Sequence, residues 1–170
     1  MAMTPRRPHK RGIALLVAVI FMSVMLAFGL ELGALGYKQI VLSSTALASQ
    51  DAFYAADAGL ECVLYADQQL NSFAYPWPQP ASAPLMACDG RSASYPPDVP
   101  TGIVSYTSSQ WVVAERLSLD SGQHCADVTV YKQNGTGPTY LFSQGYNVSC
   151  ATVANPNGAR FSSRGIYAHY

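Results

Sequence analysis

An apolar segment near the N terminus constrains this 170-residue chain more than any other feature. No charge interrupts residues 13–30, and Glu31 is the only charged residue within 13–37. A bilayer core about 30 Å thick needs roughly 20 apolar residues of helix, so the segment is long enough to cross a membrane. Lys and Arg are enriched on the cytoplasmic side, so the residues after Lys38 are predicted to be exported. The basic flank consists of Arg6, Arg7, Lys10 and Arg11.

Three ways of processing this N terminus are distinguishable. A secretory signal has an apolar region of about 7 to 15 residues followed closely by a small-x-small cleavage site. This apolar run is longer, and the candidate site at residues 46–48 ends 18 residues beyond it, which argues against ordinary secretion. Two alternatives remain. One is an uncleaved signal anchor, and the other is a basic leader, residues 1–12, removed after Gly12.

Two motifs carry a resemblance to a known family. With KRGIALLV at residues 10–17 and FYAADAGLE at residues 53–61, under half of the chain resembles the N-terminal region of PilX-type minor type IV pilins and K-type pseudopilins. The resemblance implies that a prepilin peptidase cuts after Gly12 and that Ile13 becomes N-methylated. It also implies the partners: the membrane at first, the inner-membrane assembly platform, and other pilin or pseudopilin subunits, which pack through the N-terminal helix.

The fifth mature position departs from the family pattern. Most pilins carry glutamate there, where it is thought to pair with the terminal amine of a neighbouring subunit, whereas this chain has Val17. An unpaired carboxylate in apolar surroundings is costly, so valine makes the subunit easy to hold in a membrane but removes the pairing group. K-type pseudopilins lack the same glutamate and occupy the filament tip. The resemblance therefore implies a minor or tip subunit rather than a major one.

Residues 13–36 are predicted to be the transmembrane and assembly helix. Gly29 and Gly33 form a small-xxx-small pair that lets a second helix approach closely, and Gly36 extends it. Glycine also lowers helix stability, by roughly 1 kcal/mol relative to alanine, so the helix is predicted to loosen here when it leaves lipid. A chance pair in an apolar segment remains the alternative interpretation.

Residues 37–70 are predicted to continue the helix with one apolar face, and residues 71–100 to form an irregular connection. Seven of the eleven prolines lie in the second segment, and proline is excluded from helix interiors. The first segment has apolar residues at helical spacing, so a domain must cover them. These residues are Ile40, Leu47, Phe53, Ala56, Leu60 and Leu64.

Residues 101–170 change to the alternation that is typical of strands, with a turn at Asn134 and Gly135. An antiparallel sheet that is apolar on one face would cover the helix. The predicted fold class is therefore α+β and pilin-like: a long N-terminal helix, membrane-spanning in its first half, whose second half packs on a C-terminal antiparallel sheet. The predicted strands are residues 102–107, 111–119, 126–131, 140–149 and 161–169.

Four cysteines lie on the exported side, where disulfides persist: Cys62, Cys88, Cys125 and Cys150. Four cysteines allow three pairings. We favour Cys62 with Cys88, which would anchor the proline-rich connection to the helix, and Cys125 with Cys150, at the open end of the predicted hairpin. The other pairings remain open. A four-thiolate metal site is disfavoured because no CxxC pair occurs.

Motifs of catalysis are absent from the sequence: it has no GxSxG, no HExxH and no glycine-rich phosphate loop. Asp57 and Glu61 are four residues apart on a helix, a spacing that fits a solvated or subunit-facing acidic patch better than a catalytic pair. His124 beside Cys125 is interpreted as a turn residue. We therefore predict neither an enzyme nor a cofactor or metal site.

Charge argues against direct binding of nucleic acid. Without residues 1–12, the chain has 6 Lys and Arg against 10 Asp and Glu, a formal charge of −4. Affinity for nucleic acid depends largely on basic residues that neutralise phosphates, and the few here are scattered along the chain.

The sequence thus predicts a structural subunit, a minor type IV pilin or pseudopilin-like protein, that helps assemble or prime an extracellular filament. It would reside in the cytoplasmic membrane with its C-terminal domain outside, and then in the filament. Pilus, DNA-uptake and secretion systems share such a helix, and all three remain open. The alternative is a permanently anchored envelope domain that serves binding or adhesion.

Overall fold

The computed structural model describes residues 11–170, which belong to two compact units, Met1–Ser44 and Thr45–Tyr170. Residues up to Ser44 of the first helix lie in the first unit and its remaining residues lie in the second. The elements are α1 Arg11–Gln68, β1 Ala87–Cys88, β2 Arg91–Ser92, β3 Ile103–Tyr106, β4 Gln110–Leu119, β5 His124–Gln133, β6 Tyr140–Tyr146, α2 Cys150–Ala154 and β7 Ser163–His169.

The described part of the first unit is helical throughout. The residues from 13 to 35 are all exposed, and the most apolar 18-residue window has a mean hydropathy of 2.8. A surface this apolar is not stable in water, since each buried CH₂ group gains about 0.8 kcal/mol on leaving it. By length and composition, the helix meets the requirement for a single membrane span.

The second unit is built around a five-stranded sheet. Its strand order is β3-β4-β5-β6-β7, and every neighbouring pair is antiparallel. The longest pairing joins β4 to β5 over ten residues. One face of the sheet packs on α1, where Ala126, Val128 and Leu141 are buried. The predicted α+β class, a long apolar N-terminal helix and a C-terminal antiparallel sheet, is therefore confirmed.

The stripe of α1 that faces the sheet matches the predicted one only in part. Ala56 is buried, and Leu60 and Leu64 pack partly against the core, but Leu47 is 59% and Phe53 45% exposed. Ile40 lies in the first unit and is exposed as well. The buried positions are small or medium-sized, because the helix lies close to the strands. They are Ala52, Ala55, Ala56, Gly59, Val63, Ala66 and Asp67.

Gly145 on β6 marks the closest approach of sheet to helix. A Cβ atom built on it would overlap the main-chain oxygen of Ala52 and the main-chain nitrogen of Ala56. Across the interface, a Cβ on Gly59 would lie 2.7 Å from the Ser143 Oγ and 2.9 Å from the Ala126 Cβ. Glycine at these two positions allows the two backbones to pack in contact.

The segment between α1 and β3 packs over one end of the sheet. The Trp111 indole donates to the Phe73 carbonyl at 3.1 Å, and the Tyr95 hydroxyl donates to the Ala83 carbonyl at 2.5 Å. The connection is largely irregular, as predicted, but it also contains the short hairpin β1–β2, which the sequence analysis missed. Its turn is Asp89 and Gly90, both with positive φ, a pairing typical of two-residue hairpin loops.

Both favoured disulfides are present. Cys62 on α1 is bonded to Cys88 on β1, with their Cα atoms 6.2 Å apart. Cys125 on β5 is bonded to Cys150 at the start of α2, with their Cα atoms 4.8 Å apart. The first bond anchors the hairpin β1–β2 to the helix. In the chain-entropy model, each closure of about 25 residues contributes roughly 3 kcal/mol.

Two predicted strands are shorter than expected. The strand predicted over residues 140–149 ends at Tyr146, and the one predicted over 161–169 begins at Ser163. Between them lies the helix α2, which the sequence analysis did not predict. Its N-cap is Ser149, whose hydroxyl accepts from the Thr152 amide at 3.3 Å.

Candidate functional site

The predicted cleavage site lies at the start of the described chain. The helix α1 begins at Arg11, so Gly12 and Ile13 lie in its first turn, and Ile13 is 67% exposed. Most of the basic leader, residues 1–10, lies outside the described residues. The bond predicted to be cut is thus followed directly by the exposed apolar helix.

The positions predicted to pack against other helices are exposed in the single chain. Val17 is 58% exposed, and it is one of many exposed apolar side chains on this part of α1. A Cβ atom built on Gly29, Gly33 or Gly36 meets nothing within 4 Å. The three glycines are separated by four and three residues, so they share one helix face. This face is free for a second helix or for lipid.

The second unit has its own concave surface, which we call the α1 groove. Its volume is about 690 Å³, and it lies between α1, the hairpin β1–β2 and the turn Asp120–Gly122. The apolar part of its lining includes Ala55, Ala58, Leu119 and the Cys62–Cys88 disulfide. Tyr54 and Tyr65, 58% and 60% exposed, line it as well.

Acidic residues from three parts of the chain meet in the α1 groove. Asp51 and Glu61 come from the helix, Asp89 from the turn of the hairpin β1–β2, and Asp120 from the turn after β4. Of the residues that the structure describes, no Lys or Arg lines the groove, although Arg91 donates to the Ser121 carbonyl in the turn beside it at 3.3 Å. The histidine of the lining, His124, places Nδ1 3.3 Å from an Asp120 carboxylate oxygen. The groove is therefore apolar inside and negatively charged around it.

The predicted acidic pair is divided between two environments. Glu61 lines the α1 groove, whereas Asp57, one turn earlier on the helix, does not. Among residues 11–170, no three His, Cys, Asp or Glu side chains come together in a way that could hold a metal ion.

A buried glutamate lies on β4. Glu115 on β4 is 1% exposed, and its Oε2 accepts from the Met86 amide at 3.1 Å. The Oε1 atom has no hydrogen-bond partner within the described part of the chain. Burial raises the pKa of the Glu115 carboxyl to about 7, and the bond from Met86 only partly opposes this. The charged form therefore carries an uncompensated desolvation cost.

A second buried acid, Asp67, lies in the last turn of α1. The Asp67 side chain is fully buried and pairs with Lys132 Nζ of β5 at 2.6 Å. The same carboxylate oxygen accepts from the Tyr170 hydroxyl, and burial together with this bond raises the pKa of Tyr170. These contacts connect the helix, the sheet and residue 170, so we interpret them as structural.

The outer face of the sheet, opposite α1, presents aromatic side chains. Phe142 stacks on Tyr167 and Tyr140 on His169, across the β6–β7 pair, with ring centroids 5.7 and 5.8 Å apart. Tyr131 meets Phe142 edge-on. Phe142 is 47% and Tyr167 64% exposed. Arg116 of β4 donates two hydrogen bonds to the carboxylate of Asp127 on β5, at 2.6 and 2.7 Å.

Comparison with known proteins adds no relative. No family model, no curated protein and no solved structure matches the chain.

Sequence reasoning singled out Glu61, His124 and the cysteines of this groove, but it did not bring them together, and His124, interpreted as a turn residue, is the first residue of β5. The acidic residues Asp51, Asp89 and Asp120 are separated by tens of residues, and no local pattern connects them. Glu115 does have a local sequence signal, because it occupies an inward position in the apolar alternation of β4.

Proposed function

We propose that this protein is a structural subunit, a minor type IV pilin or pseudopilin-like protein that helps assemble or prime an extracellular filament. One observation carries the proposal: α1 begins at Arg11, and its exposed apolar side chains begin at Ile13, directly after the predicted prepilin cleavage site. The helix must be covered by lipid or by other helices, and an assembly subunit needs first one and then the other.

The missing glutamate supports a minor role. Val17 is apolar and exposed, so a helix cut before Ile13 would enter a bundle without burying a carboxylate at that position. It would also lack a partner for the terminal amine of a neighbour. A subunit of this kind is suited to the tip of a filament, because no further subunit lies above it to take part in that pairing.

The proposed life of the protein has two stages. The precursor lies in the cytoplasmic membrane with the second unit outside, and the processed subunit then joins a pilus or pseudopilus. The assembly platform and the other subunits are its partners. The mildly acidic exported part supports contact with proteins rather than direct contact with DNA.

The second candidate function is a fixed envelope anchor that displays a binding domain. The exposed aromatic pairs on the outer face of the sheet favour it, because aromatic side chains are enriched at contact surfaces. In this case the leader would stay on the chain.

Replacing Gly12 by arginine separates the two functions. In cells that contain a prepilin peptidase, we expect Gly12→Arg to abolish processing, so that the precursor accumulates in the membrane and none enters filaments. A bulky charged side chain at the cleaved bond would obstruct the peptidase. Immunoblots that resolve precursor from mature chain measure this.

The matched control is Gly33→Ala, which changes another glycine of α1 where an added Cβ meets open space. It should be processed like the wild type. If the wild type and Gly12→Arg both migrate as the precursor in the presence of the peptidase, the fixed anchor is the better account.

A further inference from the structure

The α1 groove has the dimensions of a peptide site. It follows α1 from Asp51 to Tyr65, a rise of about 21 Å along the helix axis. An extended chain advances about 3.3 Å per residue, so roughly six residues of a partner would fill this length. The open sides and the volume of about 690 Å³ suit a chain segment that lies across the surface.

The lining specifies the chemistry of that segment. The alanines, Leu119 and the disulfide would accept apolar side chains, and four carboxylates around them would attract cations. Tyr54 and Tyr65 are exposed beside the carboxylates, and tyrosine rings attract Arg and Lys through cation–π contact. The complementary segment therefore alternates basic residues with apolar ones.

A second copy of this domain does not supply such a segment. Of the five Lys and Arg residues in the second unit, all of which the structure describes, two pair with carboxylates and a third, Arg91, lies against the turn that forms one wall of the groove. Arg91 donates to the Ser121 carbonyl, Arg116 to Asp127, Lys132 to Asp67 and Arg164 to the Ser49 hydroxyl. Arg164 keeps its charge beside a neutral hydroxyl, and Arg160 has no such contact, so a second copy of this unit offers two cations against four carboxylates.

We propose that the α1 groove binds a basic, apolar-containing segment of a different protein. The contact is heterotypic, with the partner's Lys or Arg side chains beside Glu61 and Asp120 and its apolar side chains over Ala58 and Leu119. This proposal concerns the second unit alone, so it does not depend on processing after Gly12.

The test measures binding of a synthetic probe to the full chain in uncharged detergent micelles. The probe is a fluorescent hexapeptide of alternating Arg and Leu, followed by anisotropy at low ionic strength, with empty micelles as the blank. The double variant Glu61→Gln/Asp120→Asn should weaken binding about tenfold, because two exposed charge pairs are lost. The control double variant Asp57→Asn/Asp98→Asn removes the same charge away from the groove and should change affinity less than about twofold.

Three results would overturn the proposal. Equal weakening by the two double variants would mean that only net charge matters. Equal binding of a peptide with Gln in place of Arg would mean that the groove does not select cations. Self-association of the chain that disappears in Glu61→Gln/Asp120→Asn would make a second copy the occupant. Circular dichroism should show the same thermal unfolding for all variants, since the changed side chains lie outside the core.

Discussion

Replacing Gly145 by alanine is expected to destabilise the second unit by about 3 kcal/mol or more, although only one methyl group is added. The new Cβ would overlap main-chain atoms of Ala52 and Ala56. A rotamer change cannot relieve a clash between a Cβ and a helix backbone, so α1 must move away from the sheet. This movement would also separate the atoms of the helix and the sheet that pack around Gly59.

Gly165→Ala is the matched control for Gly145→Ala. Gly165 lies on the neighbouring strand β7, its φ is not positive, and an added Cβ meets only the Ser143 carbonyl at 4.0 Å. Its substitution should be neutral or stabilise the fold by up to about 1 kcal/mol, because alanine restricts the unfolded chain.

Urea unfolding of the full chain in detergent, followed by the fluorescence of the buried Trp111, measures both variants. Equal stability of Gly145→Ala and Gly165→Ala would contradict the close packing of helix on sheet.

Glu115→Gln is expected to stabilise the fold at pH 8 by about 3 kcal/mol and to have little effect at pH 4. Burial raises the pKa of Glu115 to about 7 from an ordinary value of 4.5. Between these values the folded chain keeps a proton that the unfolded chain releases, so the stability of the wild type falls as pH rises through this window. Glutamine stays neutral and can still accept from the Met86 amide.

The same fluorescence measurement, repeated from pH 4 to pH 8, tests this expectation. The difference in free energy of unfolding between Glu115→Gln and the wild type cancels the titration of groups that both chains share. The difference should grow from near zero to its full value as pH passes 7. A constant difference across this range would show that Glu115 is not held neutral in the folded chain.

Much of the fold could be predicted because strong patterns specify it. The uncharged run from Ile13 specifies a helix with an apolar surface, and Asn134-Gly135 between alternating segments specifies the turn between β5 and β6. The Cys125–Cys150 pairing was favoured because both residues lie at the open end of the predicted hairpin, and the Cys62–Cys88 pairing because it would anchor the proline-rich connection to the helix; both are present. Here, local sequence and tertiary contacts require the same structure.

The features that were missed depend on contacts distant in sequence. The stripe of α1 was assigned to large apolar residues, but close packing against Gly145 requires alanine and glycine, so Leu47 and Phe53 remain exposed. The strands β1 and β2 have two residues each, too few for any periodicity. The α1 groove brings together acids from the helix, a hairpin and a turn, and only the fold makes them neighbours.

Intact mass and N-terminal sequencing of the protein, recovered from membranes that contain a prepilin peptidase, test the central proposal most directly. We expect a chain that begins at Ile13 and is heavier by one methyl group than the unmodified mature sequence. A chain that still carries residues 1–12 would contradict the proposal and favour a fixed anchor. A chain that begins at Ser49 would contradict it as well, because the protein would then be an ordinary secreted domain.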